Sequence, residues 1–347
     1  MILDVHGHVS APDGLYAYKA NLLSHRGAHG RGGVALSDDQ LRAAVEQPSR
    51  AFGLSHLGHL DAAGIDVQLI SPRPYTMMHS EEPAKLVQWF IEETNNVIHR
   101  VCGLYPERFR GMAGLAQSPS TGPAAWAGEL RRCVGELGFV GALINPDPME
   151  GQGPPLPGLG DRYWYPLYEA FCELDVPALV HSAGCRPPAR ESYSLHFILE
   201  ETIAVTSLLA SDVHRDFPSL KLIISHGGGA VPYQVGRYLP AAARDPAAGN
   251  YYDRLRTLWY DTCLYTRDAI ELLIRTVGAD RCLFGSEKPG TGSVRDPVSG
   301  RWYDDIRMLI DEIDWLPGED RARVLAGNAA GLFGLAGQLA VAEEKRD

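Results

Sequence analysis

The sequence predicts an α/β chain closed into one (β/α)8 barrel, the TIM-barrel architecture, and three observations carry that expectation. Eight short apolar or β-branched runs recur along the 347 residues. Segments with apolar residues near helical period separate them, the pattern of successive βα units on a parallel sheet. The Gly/Pro-rich stretches follow the C-terminal ends of the runs, whereas the returns from helix to strand are short. In such a barrel the functional loops sit on that face.

The runs fall in order. Ile2–Val5 opens the chain, and Val67–Ser71, Gly111–Leu115 and Gly141–Ile144 follow. Ala178–His181, Leu222–Ser225, Leu258–Asp261 and Cys282–Gly285 complete the eight. Between them, helical spacing covers Glu82–Cys102, Ala124–Leu137, Trp164–Leu174, His196–Ser211 and Asp268–Val277. The loop segments are Ala11–Gly33, Pro146–Gly160, Gly184–Ser192 and Lys288–Gly300. Residues 1–335 read as a single barrel domain with insertions at 11–54 and 146–163, and 336–347 as a charged C-terminal tail. An open doubly wound sheet is the alternative, but no GxGxxG follows the first run to support it.

Composition narrows the function classes. Hydrophobic residues make up 45% and charged residues 22% of the chain, an ordinary globular balance. The formal net charge of −11 disfavours nucleic acid or an anionic membrane as partner. No apolar run approaches the length of a membrane span, and Met1-Ile2-Leu3-Asp4-Val5 lacks the pattern of a secretory leader. The six cysteines have no metal-ligand spacing, which suits reduced thiols and a cytoplasmic location. A homo-oligomer, a dimer by default, is expected.

Candidate chemistry gathers at the ends of the runs. His6-Gly7-His8 ends the first, and residues i and i+2 of a strand share a face, so both imidazoles can meet one metal. His181 ends the fifth run and His226 the sixth, while Glu287 follows the eighth in Leu-Phe-Gly-Ser-Glu. A single histidine after an apolar run is usually a hydrogen-bonded core residue. Acid or imidazole groups at four strand ends on the same face of one barrel point instead to a metal centre. His6, His8, His181 and Glu287 are the expected ligands. His226 is either an acid–base partner or a further ligand. Asp261 orients a ligand from behind or pairs with an arginine. His25 and His29 in the first insertion, His56 and His59 before the second run, and His79, His99, His196 and His214 are read as outside the site.

The HxH start, the strand-five His181, the run Phe217-Pro218-Ser219-Leu220-Lys221-Leu222 into Ser225-His226-Gly227-Gly228, and the acid after Phe284-Gly285-Ser286 resemble the amidohydrolase-2 branch of the amidohydrolase superfamily. The resemblance runs from Met1 to about Leu335. It implies an amidohydrolase-type barrel holding Zn²⁺, with Mn²⁺ as the alternative. The decarboxylases of that branch carry Asp in a Gly-Ser-Asp motif, whereas this chain has Gly285-Ser286-Glu287. With Arg295-Asp296-Pro297 and Trp302-Tyr303-Asp304-Asp305, that departure is similar to the 4-oxalomesaconate hydratases. It implies a lyase that adds water to an unsaturated tricarboxylate from ring-cleaved protocatechuate or gallate, giving 4-carboxy-4-hydroxy-2-oxoadipate.

On this reading Glu287 ligates the metal and moves a proton, and His226 positions water or proton. A tricarboxylate calls for guanidinium forks, for which Arg73 and Arg295 are the candidates, with Tyr75 and Tyr193 as hydrogen-bond donors. The competing readings are a nonoxidative decarboxylase on the same scaffold, a metal-dependent hydrolase, and a non-catalytic metal-bound or interaction protein.

Overall fold

The computed structural model describes residues 1–186, 193–244 and 249–337, with the side chain of Tyr193 excepted. Each of the eight runs is a strand: β1 Leu3–His8, β2 Val67–Ser71, β3 Phe109–Ala113, β4 Gly141–Ile144, β5 Ala178–Val180, β6 Leu222–Ile224, β7 Trp259–Asp261 and β8 Cys282–Leu283. Neighbours in sequence are neighbours in space, in the order β1 to β8, and every adjacent pair is parallel. Val5 N donates to Phe284 O at 2.9 Å and Glu287 N to His6 O at 2.7 Å, so the segment after β8 closes back onto β1. The chain is a (β/α)8 barrel.

Strand alternation divides the core in two. Leu3 and Val5 of β1 point inward with Val67, Leu69, Met112, Leu143, Leu179, Ile223 and Leu283, filling the barrel. Leu332, Phe333 and Leu335 from the C-terminal end of the described chain join that cluster and plug it. The opposite face of the strands, including Ile70, Ile144, Val180 and Ile224, packs outward against helix residues such as Phe90, Trp126, Tyr168 and Leu273.

Simple alternation conflicts with the site. If Leu3 and Val5 face inward, His6 and His8 should face outward. The structure resolves this with an extra residue in β1. Asp4 pairs with Gln68 and Gly7 with Ile70, three steps on β1 against two on β2. Such a bulge re-aims the residues beyond it. His8 then lies opposite Ser71, on the inward side, while Gly7 faces outward onto Gln68. A Cβ on Gly7 would lie 2.2 Å from the Gln68 side chain, so only glycine fits there.

The helices agree with the periodicity to within a few residues: Lys85–Leu104, Pro123–Gly135, Tyr165–Leu174, Tyr193–Leu209 and Arg267–Val277. The first insertion is a correction. The stretch expected as a Gly/Pro-rich loop over Ala11–Gly33 contains the helix Asp13–His25, and Asp38–Glu46 forms another behind a Ser37 capping box. Arg31 anchors this insertion to the helix Lys85–Leu104 through Glu93 at 2.9 Å and Glu92 at 2.5 Å. The charged tail beyond residue 337, and most of the Gly184–Ser192 segment, lie outside the described residues. Among the described residues no helix is long and apolar enough to cross a membrane.

The plug packs on the barrel-filling side chains, so its loss should act on stability. Phe333→Ala should cost about 3–4 kcal/mol of folding free energy, read as a lower denaturant midpoint, with metal affinity unchanged.

Candidate functional site

The strand ends bring together His6 and His8 from β1, His181 just past β5, His226 past β6 and Glu287 past β8. All are buried. The rings of His6, His8, His181 and His226 stand in edge-on or tilted contact with centroids 4.9 to 5.3 Å apart. One ligand atom from each of His6, His181, His226 and Glu287 falls within 4.8 Å of all the others. His8 falls outside that group, although its Nε2 lies 3.9 Å from Glu287 Oε1 and its ring packs edge-on against those of His6 and His181. The geometry therefore gathers His6, His181, His226 and Glu287 with His8 beside them, and His226 lies as close to the centre as the expected ligands do.

Each imidazole is oriented from behind. His6 Nδ1 donates to Asp261 Oδ2 at 2.7 Å, His8 Nδ1 to Ser71 Oγ at 2.8 Å, and His181 Nδ1 to Ser182 O at 2.7 Å. With the proton on Nδ1, the Nε2 lone pair points inward. Nε2 of His6, His8 and His181 is buried and meets no hydrogen-bond partner among the described residues. Three inward lone pairs beside a carboxylate would be costly to bury without a cation, and they suit a divalent metal with nitrogen and oxygen ligands. Burial, then the neighbouring imidazoles, holds His8 and His181 well below the ordinary histidine pKa, so both imidazoles are neutral. Burial also lowers His6, but the Asp261 carboxylate outweighs it and raises that group.

His226 differs. Its Nδ1 lies 2.9 Å from both oxygens of the fully buried Glu201. Burial opposes the charged form, yet the Glu201 carboxylate prevails and lifts the pKa to about 10. Glu287 uses its two oxygens separately. Oε1 faces His8, while Oε2 accepts from Tyr265 Oη at 2.7 Å. His226, Tyr265 and Glu287 all have left-handed backbone φ, at 49°, 56° and 61°. Strain of that kind in non-glycine residues is retained where it aims side chains at a site.

Two cavities meet at Glu287 and Thr291. One, of about 340 Å³, is lined by His8, Phe52, Arg73, Tyr75, Glu287 and Thr291 among others. The other, of about 230 Å³, is more apolar and carries Phe197, Ile198, Leu264, Tyr265, His226 and Glu287. A cavity of about 710 Å³ between the helices Tyr193–Leu209 and Val231–Ala242 holds none of the metal-centre groups. Arg73 enters the first cavity, stacked 5.6 Å from the Phe52 ring and donating to Pro289 O at 3.1 Å. Tyr75 stands half-exposed at the same mouth. Arg295 is placed elsewhere: it is exposed, covers the Trp302 ring at 4.5 Å, donates to Gly300 O at 2.7 Å, and lines neither cavity. The Tyr193 side chain lies outside the described residues.

Some histidines read as peripheral are core groups. His56 and His59, read as outside the site, are buried, with His56 bonded to Gln68 at 2.7 Å and His59 to Phe52 O at 3.0 Å. Burial pushes His56 down to about 3, so it serves as a neutral packing and hydrogen-bonding group. His79 is likewise buried, against Asn145 at 2.8 Å. The residues not anticipated are Glu201, Ser71 and Tyr265. Glu201 had a signal: it shares an apolar helical stripe with Phe197, Ala204, Val205 and Leu208, where a carboxylate needs a buried partner. Ser71 and Tyr265 had none.

Residues 3–335 match the family described as amidohydrolase. The 2-keto-4-carboxy-3-hexenedioate hydratase of Sphingobium sp. (strain NBRC 103272 / SYK-6) is 36% identical over 343 residues, covering 96% of each chain. The crystal structure of 4-oxalomesaconate hydratase from Rhodopseudomonas palustris superposes with a TM-score of 0.86 at 32% identity, over 99% of both chains. A dihydroxybenzoic acid decarboxylase from Polaromonas sp. JS666, solved with manganese, shares the fold at a TM-score of 0.71 and 22% identity, over 96% of this chain and 97% of that one. The chain belongs to the amidohydrolase family.

Removing an inward imidazole should empty the centre. His6→Ala or His181→Ala should abolish metal retention, measured by elemental analysis after dialysis. Asp261→Asn leaves every ligand in place but weakens the bond that orients His6. It should lower metal affinity by roughly tenfold to a hundredfold.

Proposed function

We propose that this amidohydrolase-family enzyme is a hydratase that adds water across the carbon–carbon double bond of 4-oxalomesaconate or its isomer 2-keto-4-carboxy-3-hexenedioate. The product is 4-carboxy-4-hydroxy-2-oxoadipate, within protocatechuate or gallate breakdown. The observation that carries this reading is the place of Glu287: it faces the imidazole cluster, lines both cavities, and sits beside His226. The two hydratases similar to this chain over nearly its whole length support it.

His6, His8, His181 and Glu287 would hold the cation, Zn²⁺ or alternatively Mn²⁺, since mixed imidazole and carboxylate donors suit both. When bound, it supplies Lewis acidity toward a substrate oxygen. The chain's own residues do the rest. Arg73 receives a substrate carboxylate in the larger cavity, held there by the Phe52 ring and by its bond to Pro289 O. Tyr75 donates to the same end of the substrate from the mouth. Glu287 takes a proton from the attacking water; the hydroxyl joins the carboxyl-bearing alkene carbon, and the proton returns to the adjacent carbon. One water is consumed and nothing is oxidised or reduced. His226, with Nδ1 held by Glu201, presents Nε2 to the water and positive charge to the electron density that builds on the substrate.

A decarboxylase is the second reading, favoured by the shared fold of the dihydroxybenzoic acid enzyme. Incubating metal-loaded protein with 4-oxalomesaconate separates the two. Hydration removes the ultraviolet absorption of the conjugated substrate without releasing CO2. Release of CO2 from a carboxylated aromatic, with no hydration, would replace the proposal.

Glu287→Asp moves the carboxylate back by one methylene, and at full metal occupancy turnover should fall by roughly a hundredfold or more. Glu287→Gln should be at least as damaging, and a metal-saturated Gln variant with unmutated rates would remove the proton-transfer role. Arg73→Met should weaken substrate binding by roughly 2 kcal/mol or more with metal content unchanged, read as a higher KM.

A further inference from the structure

We infer that Tyr265 is a positioning residue for Glu287: its phenol holds one carboxylate oxygen and leaves the other as the single working oxygen at the metal centre. The inference deepens the hydratase reading and, for its kinetic consequences, rests on it.

The contact geometry is specific. Tyr265 Oη donates to Glu287 Oε2 at 2.7 Å, the short distance of a hydroxyl bonded to a carboxylate. The other near neighbour of Oε2 is the Cys263 thiol, at 3.9 Å, a weak donor. Among the described residues Oε1 meets no such donor, and it faces His8 Nε2 at 3.9 Å. A carboxylate held in this way through one oxygen is restrained in its rotamer and turns the other oxygen toward His8.

The phenol is itself held from two sides. Its backbone lies in the left-handed region, at φ 56°, which turns the ring back toward the barrel mouth instead of out along the helix that follows. Gly292, in the loop after Glu287, passes close to that ring: a Cβ there would lie 2.6 Å from the Tyr265 ring and 2.8 Å from Asp304. Thr266 then caps the helix Arg267–Val277 by accepting from Ala269 N. At the other end of the same short segment, Asp261 holds His6 Nδ1 at 2.7 Å. Residues Asp261 to Thr266 therefore brace two ligands from different strands, His6 from β1 and Glu287 from beyond β8. A brace of this kind fixes the angle between imidazole and carboxylate without touching the reacting atoms, as outer groups do around metal sites.

The test is Tyr265→Phe, which removes one oxygen and keeps ring and backbone. In protein loaded with Co²⁺ in place of the native ion, the visible absorption spectrum reports ligand geometry directly and needs no turnover. The variant should retain one ion per chain and show a shifted spectrum. With substrate, kcat should fall by roughly tenfold to a hundredfold while KM changes little. Gly292→Ala, which presses on the ring from behind and leaves the hydroxyl in place, should shift the spectrum as well. That second variant keeps the question open to answer should the first fail to fold. An unchanged Co²⁺ spectrum in Tyr265→Phe would overturn the inference, and so would loss of the ion, because the phenol would then be retaining metal instead of orienting a ligand. Should the unmutated enzyme not hydrate the tricarboxylate, the hydratase reading fails, while the spectra still decide the role of Tyr265.

Discussion

The centre depends on one extra residue in the first strand. Leu3 and Val5 must face inward to fill the barrel, and His6 and His8 must face inward to meet the other imidazoles. A regular strand cannot do both, because alternation sends successive residues to opposite faces. The bulge between Asp4 and Gly7 changes the parity within one strand. It is buttressed: Asp4 accepts from His6 N and Ser286 N at 3.0 Å each and from Gln68 Nε2 at 2.8 Å, tying β1 to β2 and to the loop that carries Glu287. The junction is closed: Asp4 is fully buried, and that burial raises its pKa despite these donors.

From that junction the rest of the site follows as electrostatics in a dry space. Three imidazoles present unpaired inward nitrogens, and each has its outer nitrogen committed to a different kind of acceptor: a carboxylate for His6, a hydroxyl for His8, a backbone carbonyl for His181. The acceptor sets the charge. His8 and His181, with neutral acceptors, stay deprotonated at the inward nitrogen, whereas His226 against Glu201 carries a proton. One cluster of four chemically identical side chains thus divides by charge: the carboxylate partners raise His6 and His226, while His8 and His181 stay neutral.

Much of this was legible in the sequence, and the remainder failed for physical reasons. Hydrophobic runs and loop composition predict the eight strands and the face that carries the chemistry, because both follow from local periodicity. Histidines at successive strand ends fall together because all strands of a parallel barrel finish on one side. What local pattern cannot reveal is which way a side chain faces after an irregularity, so the bulge in β1 was invisible. Arg295 shows the same limit. Its position shortly after Glu287 suggests the cavity, but the turn closing on Trp302 carries it outward. His56 and His59 look polar enough for a surface, yet Gln68 and the Phe52 carbonyl give each a partner inside. Tyr265 reaches Glu287 through a left-handed backbone, and that conformation leaves no mark in residue type.

The central claim is that the strand-end imidazoles and Glu287 form one divalent-metal centre. X-ray absorption on zinc-loaded protein, with the ion counted per chain, tests it most directly. The account predicts one ion per chain, with a first shell dominated by imidazole nitrogen at about 2.0–2.1 Å and completed by oxygen. A shell of oxygen alone, or an ion bound at well under one per chain in protein with all its histidines intact, would contradict it.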